Sequence, residues 1–158
     1  KESSAASDVY KRQNLHGKGL KIGIVDARFN EVGDHLLSTC LDRLKELGVK
    51  DKDITLVQVP GALEIPLILQ NLAQTGKFSG LIALGVVIRG ETLHFEVISK
   101  VSILSVAKVS LKHNIPISNV ILTTENESQA QVRVIEKGRA AAEVVVEMVN
   151  HLQEIKTN

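Results

Sequence analysis

Two hydrophobic rhythms alternate along the chain from Leu20 onward. Leu20-Lys21-Ile22-Gly23-Ile24-Val25 is a short apolar run, followed by Leu36, Leu37, Cys40, Leu41, Leu44 and Leu47 at helical spacing, with Gly48 as a stop. The pattern predicts a strand and then a helix. Ile54 to Val59 repeats the strand signal, and Pro60-Gly61 turns it into a helix carrying Leu63, Leu67, Ile68 and Leu72, closed by Gly76. Gly80 to Val87 is the most continuously apolar stretch, which predicts a central strand buried on both faces. A long helix comes next, with Val97, Val101, Leu104, Val109 and Leu111 expected inside, and it ends before Pro116. Ser118 to Leu122 reads as the last strand. The end of the chain reads as helical from about Glu127 through Glu147, with Gly138 expected to break it.

Strands that alternate with helices call for right-handed crossovers and an α/β fold: a parallel sheet covered by helices on both faces. Residues 1–18 are polar and aperiodic and are expected to form a flexible arm, with residues 19–158 as one domain. In open parallel sheets ligands bind beyond the carboxyl ends of the strands. The search for chemistry therefore narrows to residues 26–30, 60–64, 86–96 and 123–128.

Composition removes several function classes. The 158 residues suit one domain, and 44% hydrophobic with 23% charged residues is ordinary globular usage. A formal net charge of +1 gives no broad attraction to nucleic acid or to an anionic membrane, so any anion site must be local. No apolar run approaches the roughly 18 residues of a membrane span, and the polar start carries no apolar stretch of a signal peptide. With Cys40 as the one cysteine there is no intrachain disulfide, which leads us to expect a cytoplasmic protein. Aromatic residues make up 3%, so the place of each ring matters to any flat ligand.

Nucleotide and metal readings fail on spacing. Gly80 and Gly85 stand at P-loop distance, but no Lys-Ser/Thr pair follows and the run lies inside a strand. The histidines His16, His35, His94, His113 and His151 are scattered without ligand spacing. A phospho-receiver domain would need an acidic cluster at the strand ends; Asp26 could begin one, but Gly85-Val86-Val87 offers no carboxylate to phosphorylate. Residues 87–96 are richer. Gly90, the Thr92 hydroxyl and a helix starting nearby are the parts of a small phosphate site, and His94 can carry a proton near neutral pH. Arg133, about two turns beyond an Asn126 cap, could give a phosphate a forked contact. Phe29-Asn30 pairs a ring with an amide at the first strand end, and Glu64 sits one turn into a predicted helix. Each of these residues also has a bland reading as an ordinary surface or core position.

In this order the residues resemble the 6,7-dimethyl-8-ribityllumazine synthase family. The resemblance runs from about Leu20 to Leu152 on Arg28-Phe29-Asn30, on Val59-Pro60-Gly61-Ala62-Leu63-Glu64-Ile65-Pro66, on residues 83–96, and on Leu122-Thr123-Thr124-Glu125-Asn126. It implies a flavodoxin-like three-layer α/β/α sandwich with a four-stranded parallel sheet. It also implies a cofactor-free condensation of 5-amino-6-ribitylaminouracil with 3,4-dihydroxy-2-butanone 4-phosphate, with no metal. By motif position Phe29 and Asn30 would meet the pyrimidine and ribityl groups, Ala62, Leu63 and Glu64 would contact the same substrate, and Val86, Val87 and Ile88 would line the pyrimidine pocket. Glu91 and Thr92 would stand at the phosphate with Arg133 and Lys137, and His94 would transfer protons.

The resemblance further implies a homopentamer with active sites between subunits, which some members build into a shell of twelve pentamers. Small-molecule substrates, and neither nucleic acid nor membrane, are the expected partners. The chain departs from the family at several places: Glu91 where Ala is frequent, Leu63 and Asn119 where rings are frequent, and a link near Lys137-Gly138 shorter by roughly 4 residues. Asn119 would come from a neighbouring subunit to lie over the pyrimidine, so the pocket leans on Phe29 for stacking. The competing expectation is a homologue that keeps the pocket as a ligand-binding or assembly protein without turnover.

Overall fold

The computed structural model describes residues 7, 10, 13–28, 31–90 and 94–157. Its elements follow the predicted alternation: β1 (Ile22–Ala27), α1 (Glu31–Glu46), β2 (Ile54–Val59), α2 (Ile65–Gln74), β3 (Gly80–Ile88), α3 (His94–His113), β4 (Ile117–Thr124) and α4 (Glu127–Thr157). The strands pair in parallel in the order β2-β1-β3-β4. Alternation along each strand then sorts side chains into two cores. Ile22, Ile24, Ile82 and Leu84 pack under α1 and α4, whereas Val25, Leu81, Ala83 and Ile121 pack under α2 and α3. This is the three-layer α/β/α, flavodoxin-like arrangement expected from the sequence.

Local signals set the element ends. Gly48 adopts φ +100°, a left-handed conformation that costs glycine little, and its N–H closes on the Lys45 carbonyl at 3.0 Å to stop α1. Asn126 caps α4: its side-chain oxygen accepts from the Gln129 N–H at 2.9 Å, and the Gln129 side chain accepts from the Glu125 N–H at 2.9 Å. The chain just before β1 is tied down as well. The Asn150 amide donates to the carbonyls of Asn14 and His16 at 2.7 and 3.2 Å, and the Gly17 N–H donates to Leu47 O at 2.8 Å. Cys40 lies fully buried in the α1/α4 core.

Three expectations need correction. Gly138 does not break the last helix; α4 runs unbroken from Glu127 to Thr157. Its lack of a side chain serves a close approach instead, because a Cβ there would stand 2.8 Å from Thr39 Cβ and 2.9 Å from the Leu36 carbonyl oxygen on α1. Gly138→Ala is therefore expected to destabilise the fold by about 1–2 kcal/mol, the overpacking cost reduced by alanine's better helix propensity. A chemical-denaturation midpoint at or above wild type would contradict that packing account.

The second correction concerns α3. Ser102, Val106 and Val109 face the sheet, while Val97, Val101, Leu104 and Leu111 point outward, Leu111 at 84% exposure. The helix is apolar around most of its circumference, so periodicity could not say which face meets this chain's own core. Third, Glu64 is not inside a helix. It closes a single 3₁₀ turn, Ala62–Glu64, immediately before α2, whose first turn carries Pro66. A Pro there is tolerated because the first turn's N–H groups have no helical acceptor.

Candidate active site at the carboxyl ends of the strands

The exits of β1, β2 and β3 and the start of α3 enclose a cavity of about 340 Å³, a size suited to a small-molecule ligand. Ala62, Leu63 and Glu64 line it from the 3₁₀ turn, Val86, Val87 and Ile88 from the end of β3, and His94 from the first position of α3. Seven residues singled out from the sequence thus meet at one site. Ala27, Pro60, Gly61 and Ile98 complete the lining. Ala27, Pro60 and Gly61 fall in the strand-end segments 26–30 and 60–64, and Ile98 lies one helical turn beyond His94. Glu64 folds back over Gly61, its Oε1 3.2 Å from where a Cβ on that glycine would stand.

The remaining predicted residues fall into two groups. Phe29, Asn30, Glu91 and Thr92 lie outside the described residues. Asn119, Arg133 and Lys137 are described and exposed, and they do not line this cavity. Asn119 sits on β4, its amide donating to the Ile103 carbonyl at 3.3 Å, and Arg133 and Lys137 lie on the outer surface of α4.

Two features beside the cavity were not anticipated as site elements. Asp26, at 1% exposure, lies on the α1 side of β1, one residue before the pocket-lining Ala27. Its Oδ2 accepts from Gln58 Nε2 at 3.1 Å, and its Oδ1 has no hydrogen-bond partner among the described residues. Burial pushes this carboxyl up to about 6, against the opposing pull of the Gln58 hydrogen bond and with a further push from Asp34. The same burial, with Asp26 adding to it, pushes the nearby Cys40 thiol up to about 12. Gln58 also serves Arg28, whose Nη1 donates to the Gln58 carbonyl at 3.1 Å while its N–H donates to Val59 O at 2.9 Å. The ends of β1 and β2 are thereby laced together under the pocket.

The second feature is Arg89, one residue past β3. It forms ion pairs with Glu125 at 2.7 Å and Glu96 at 3.3 Å and places its guanidinium carbon 4.7 Å from the centroid of the Phe95 ring. Among the described residues no group of histidine, cysteine or acidic side chains could hold a metal ion, and no helix is long and apolar enough to cross a membrane.

Comparison with known proteins agrees with this geometry. Residues 19–153 match the family described as 6,7-dimethyl-8-ribityllumazine synthase. A protein of that name from Methylobacillus flagellatus is 57% identical over 143 residues, covering 90% of this chain and 96% of the relative. One from Burkholderia multivorans is 56% identical over 138 residues, covering 87% and 80%. A third, from Burkholderia vietnamiensis, is also 56% identical over 138 residues.

Proposed function

The chain belongs to the 6,7-dimethyl-8-ribityllumazine synthase family, a transferase family of riboflavin biosynthesis, and we propose that the cavity at the strand ends is where it carries out that family's condensation. The reaction joins 5-amino-6-ribitylaminouracil to 3,4-dihydroxy-2-butanone 4-phosphate and yields the lumazine, phosphate and a water from each of the two condensations. The observation that carries the site assignment is the convergence of Ala62–Glu64, Val86–Ile88 and His94 on one cavity. Main-chain groups at the end of β3 suit the edge of a pyrimidine, and the Glu64 carboxylate suits ribityl hydroxyls; by motif, Phe29 and Asn30 serve the same substrate. Glu91, Thr92, Arg133 and Lys137 serve the phosphate.

The chemistry then follows from proton bookkeeping. The amine attacks the ketone, water leaves to form an imine, phosphate is eliminated, and the ring closes when the second nitrogen attacks the remaining carbonyl with loss of another water. Every step moves a proton, and His94 at the cavity wall is the group that carries it. Orientation of two bound substrates supplies a large share of the acceleration, on the order of 7–11 kcal/mol.

Asn119, Arg133 and Lys137 stand outside their own chain's cavity, so they complete the site of a neighbouring copy. The apolar outer face of α3, with Val97, Val101 and Leu104 uncovered, supports the same assembly. We take the functional unit to be a homopentamer of single domains spanning residues 19–158, acting in the cytoplasm. The test joins activity to assembly. Incubation with both substrates is expected to raise lumazine absorbance and release phosphate in equal amounts, from a species that sediments as a pentamer. Binding without product would favour the ligand-binding reading, and an active monomer would refute the shared site.

A further inference from the structure

Arg89 has contacts on two separate segments, the end of β4 and the start of α3. Its N–H donates to the Thr124 carbonyl at 2.9 Å, which keeps β3 and β4 joined one residue beyond their last paired positions. Its guanidinium meets Glu125, just past β4, and both Phe95 and Glu96 of α3. These last two directly follow His94, the first residue of that helix. We infer that Arg89 is a positioning residue for the condensation: it pins the first turn of α3 to the turn between β4 and α4 and so fixes where the His94 imidazole stands. The inference rests on His94 as the proton carrier.

The geometry asks for arginine specifically. An isolated exposed ion pair holds little, because two long side chains must give up their freedom for it. Here a planar fork is used from several sides at once, with carboxylates at Nε and Nη2 and a ring against the guanidinium plane. A lysine ammonium is a point charge on a flexible stem and cannot reach Glu125, Glu96 and the Phe95 face together. Without the fork those two carboxylates would also lose their counter-charge, and the turn carrying His94 would lose its tether to β4.

The test is a double-mutant cycle in the assembled enzyme, comparing Arg89→Lys, His94→Ala and the pair. His94→Ala is expected to lower kcat about tenfold, well short of abolishing turnover, because orientation persists. Arg89→Lys is expected to lower kcat by a similar factor and to leave KM for the pyrimidine substrate within about twofold. On the His94→Ala background Arg89→Lys should cost less than about twofold more, because the group it positions is gone. Glu125→Gln removes one leg of the clamp while keeping the Arg89 charge, and should give a smaller loss with the same non-additivity. Sedimentation and far-ultraviolet circular dichroism confirm that each variant is assembled. Wild-type kcat in Arg89→Lys, or equal losses on both backgrounds, overturns the inference while the role of His94 stands. Wild-type kcat in His94→Ala removes the proton-transfer reading and the inference with it.

Discussion

Replacing Arg133 by alanine is expected to cut kcat/KM for the phosphate-bearing substrate by about 100-fold, the loss typical of a desolvated, charge-assisted contact to phosphate. KM for that substrate should carry most of the change, and KM for the pyrimidine substrate little. The fold should be indifferent: Arg133 is exposed on α4 and forms no ion pair among the described residues, so its removal takes nothing from its own chain. The same observation supplies a sharper experiment. His94 lines its own chain's cavity and Arg133 does not, so under the proposed shared site each complete site draws on two copies. Denaturing His94→Ala and Arg133→Ala chains together and reassembling them at equal ratio should regenerate about a quarter of the sites intact, since each must pair an unaltered His94 with an unaltered Arg133 from the next subunit. The phosphate-release rate of the mixture should exceed that of either parent accordingly. A mixture no faster than the mean of its parents would place both residues in one subunit's site and end the shared-site proposal.

Asp26→Asn is expected to stabilise the protein above neutrality and to do so progressively less as the pH falls. The sign follows from the direction of the shift. A carboxyl raised from 3.8 to about 6 by burial contributes stability that is complete below the unfolded value and is lost as the pH rises through the folded one. Wild type therefore gives up on the order of 3 kcal/mol from this group between about pH 4 and pH 6. Asparagine mimics the neutral acid, keeps an oxygen for the Gln58 amide and has no charge to bury. The difference in unfolding free energy between variant and wild type, measured by denaturant from pH 4 to pH 8, should climb by that amount and then level off. A difference independent of pH would mean that Asp26 titrates as an ordinary solvated carboxyl. Because Asp26 lies beside the Ala27 wall and shares Gln58 with Arg28, the variant also asks whether a neutral group there suffices to hold the pocket floor.

Most of the scaffold was legible because each element is locally consistent. Ile54 to Val59 reads as a strand and is one, and Gly48, Gly76 and Asn126 end or begin helices for reasons of backbone conformation or capping that operate within a few residues. What could not be read depends on partners far away in sequence. Gly138 looks like a helix breaker by propensity, but the surface of α1 at Leu36 and Thr39 decides its role, and nothing near residue 138 encodes that surface. The outward valines and leucines of α3 read as core because the helix is apolar around most of its circumference, and periodicity alone does not pick the face that meets the sheet. Asn119 and Lys137 enter as candidates through resemblance alone, and Arg133 through its place after the Asn126 cap as well, while the cavity of the single chain includes none of the three. Arg89 stands in the richest motif, but its contact with Glu125 is made across the fold and is not visible in the order of residues.

The sealed position of Cys40 turns the protein into its own reporter of breathing. Its sulfur is fully buried between α1, α4 and the sheet, and its ionisation is pushed up to about 12, so almost no thiolate exists in the closed state at neutral pH. An alkylating reagent must wait until α1 lifts. Its rate of incorporation then measures the population of that open form, and with one thiol per chain each event is counted once.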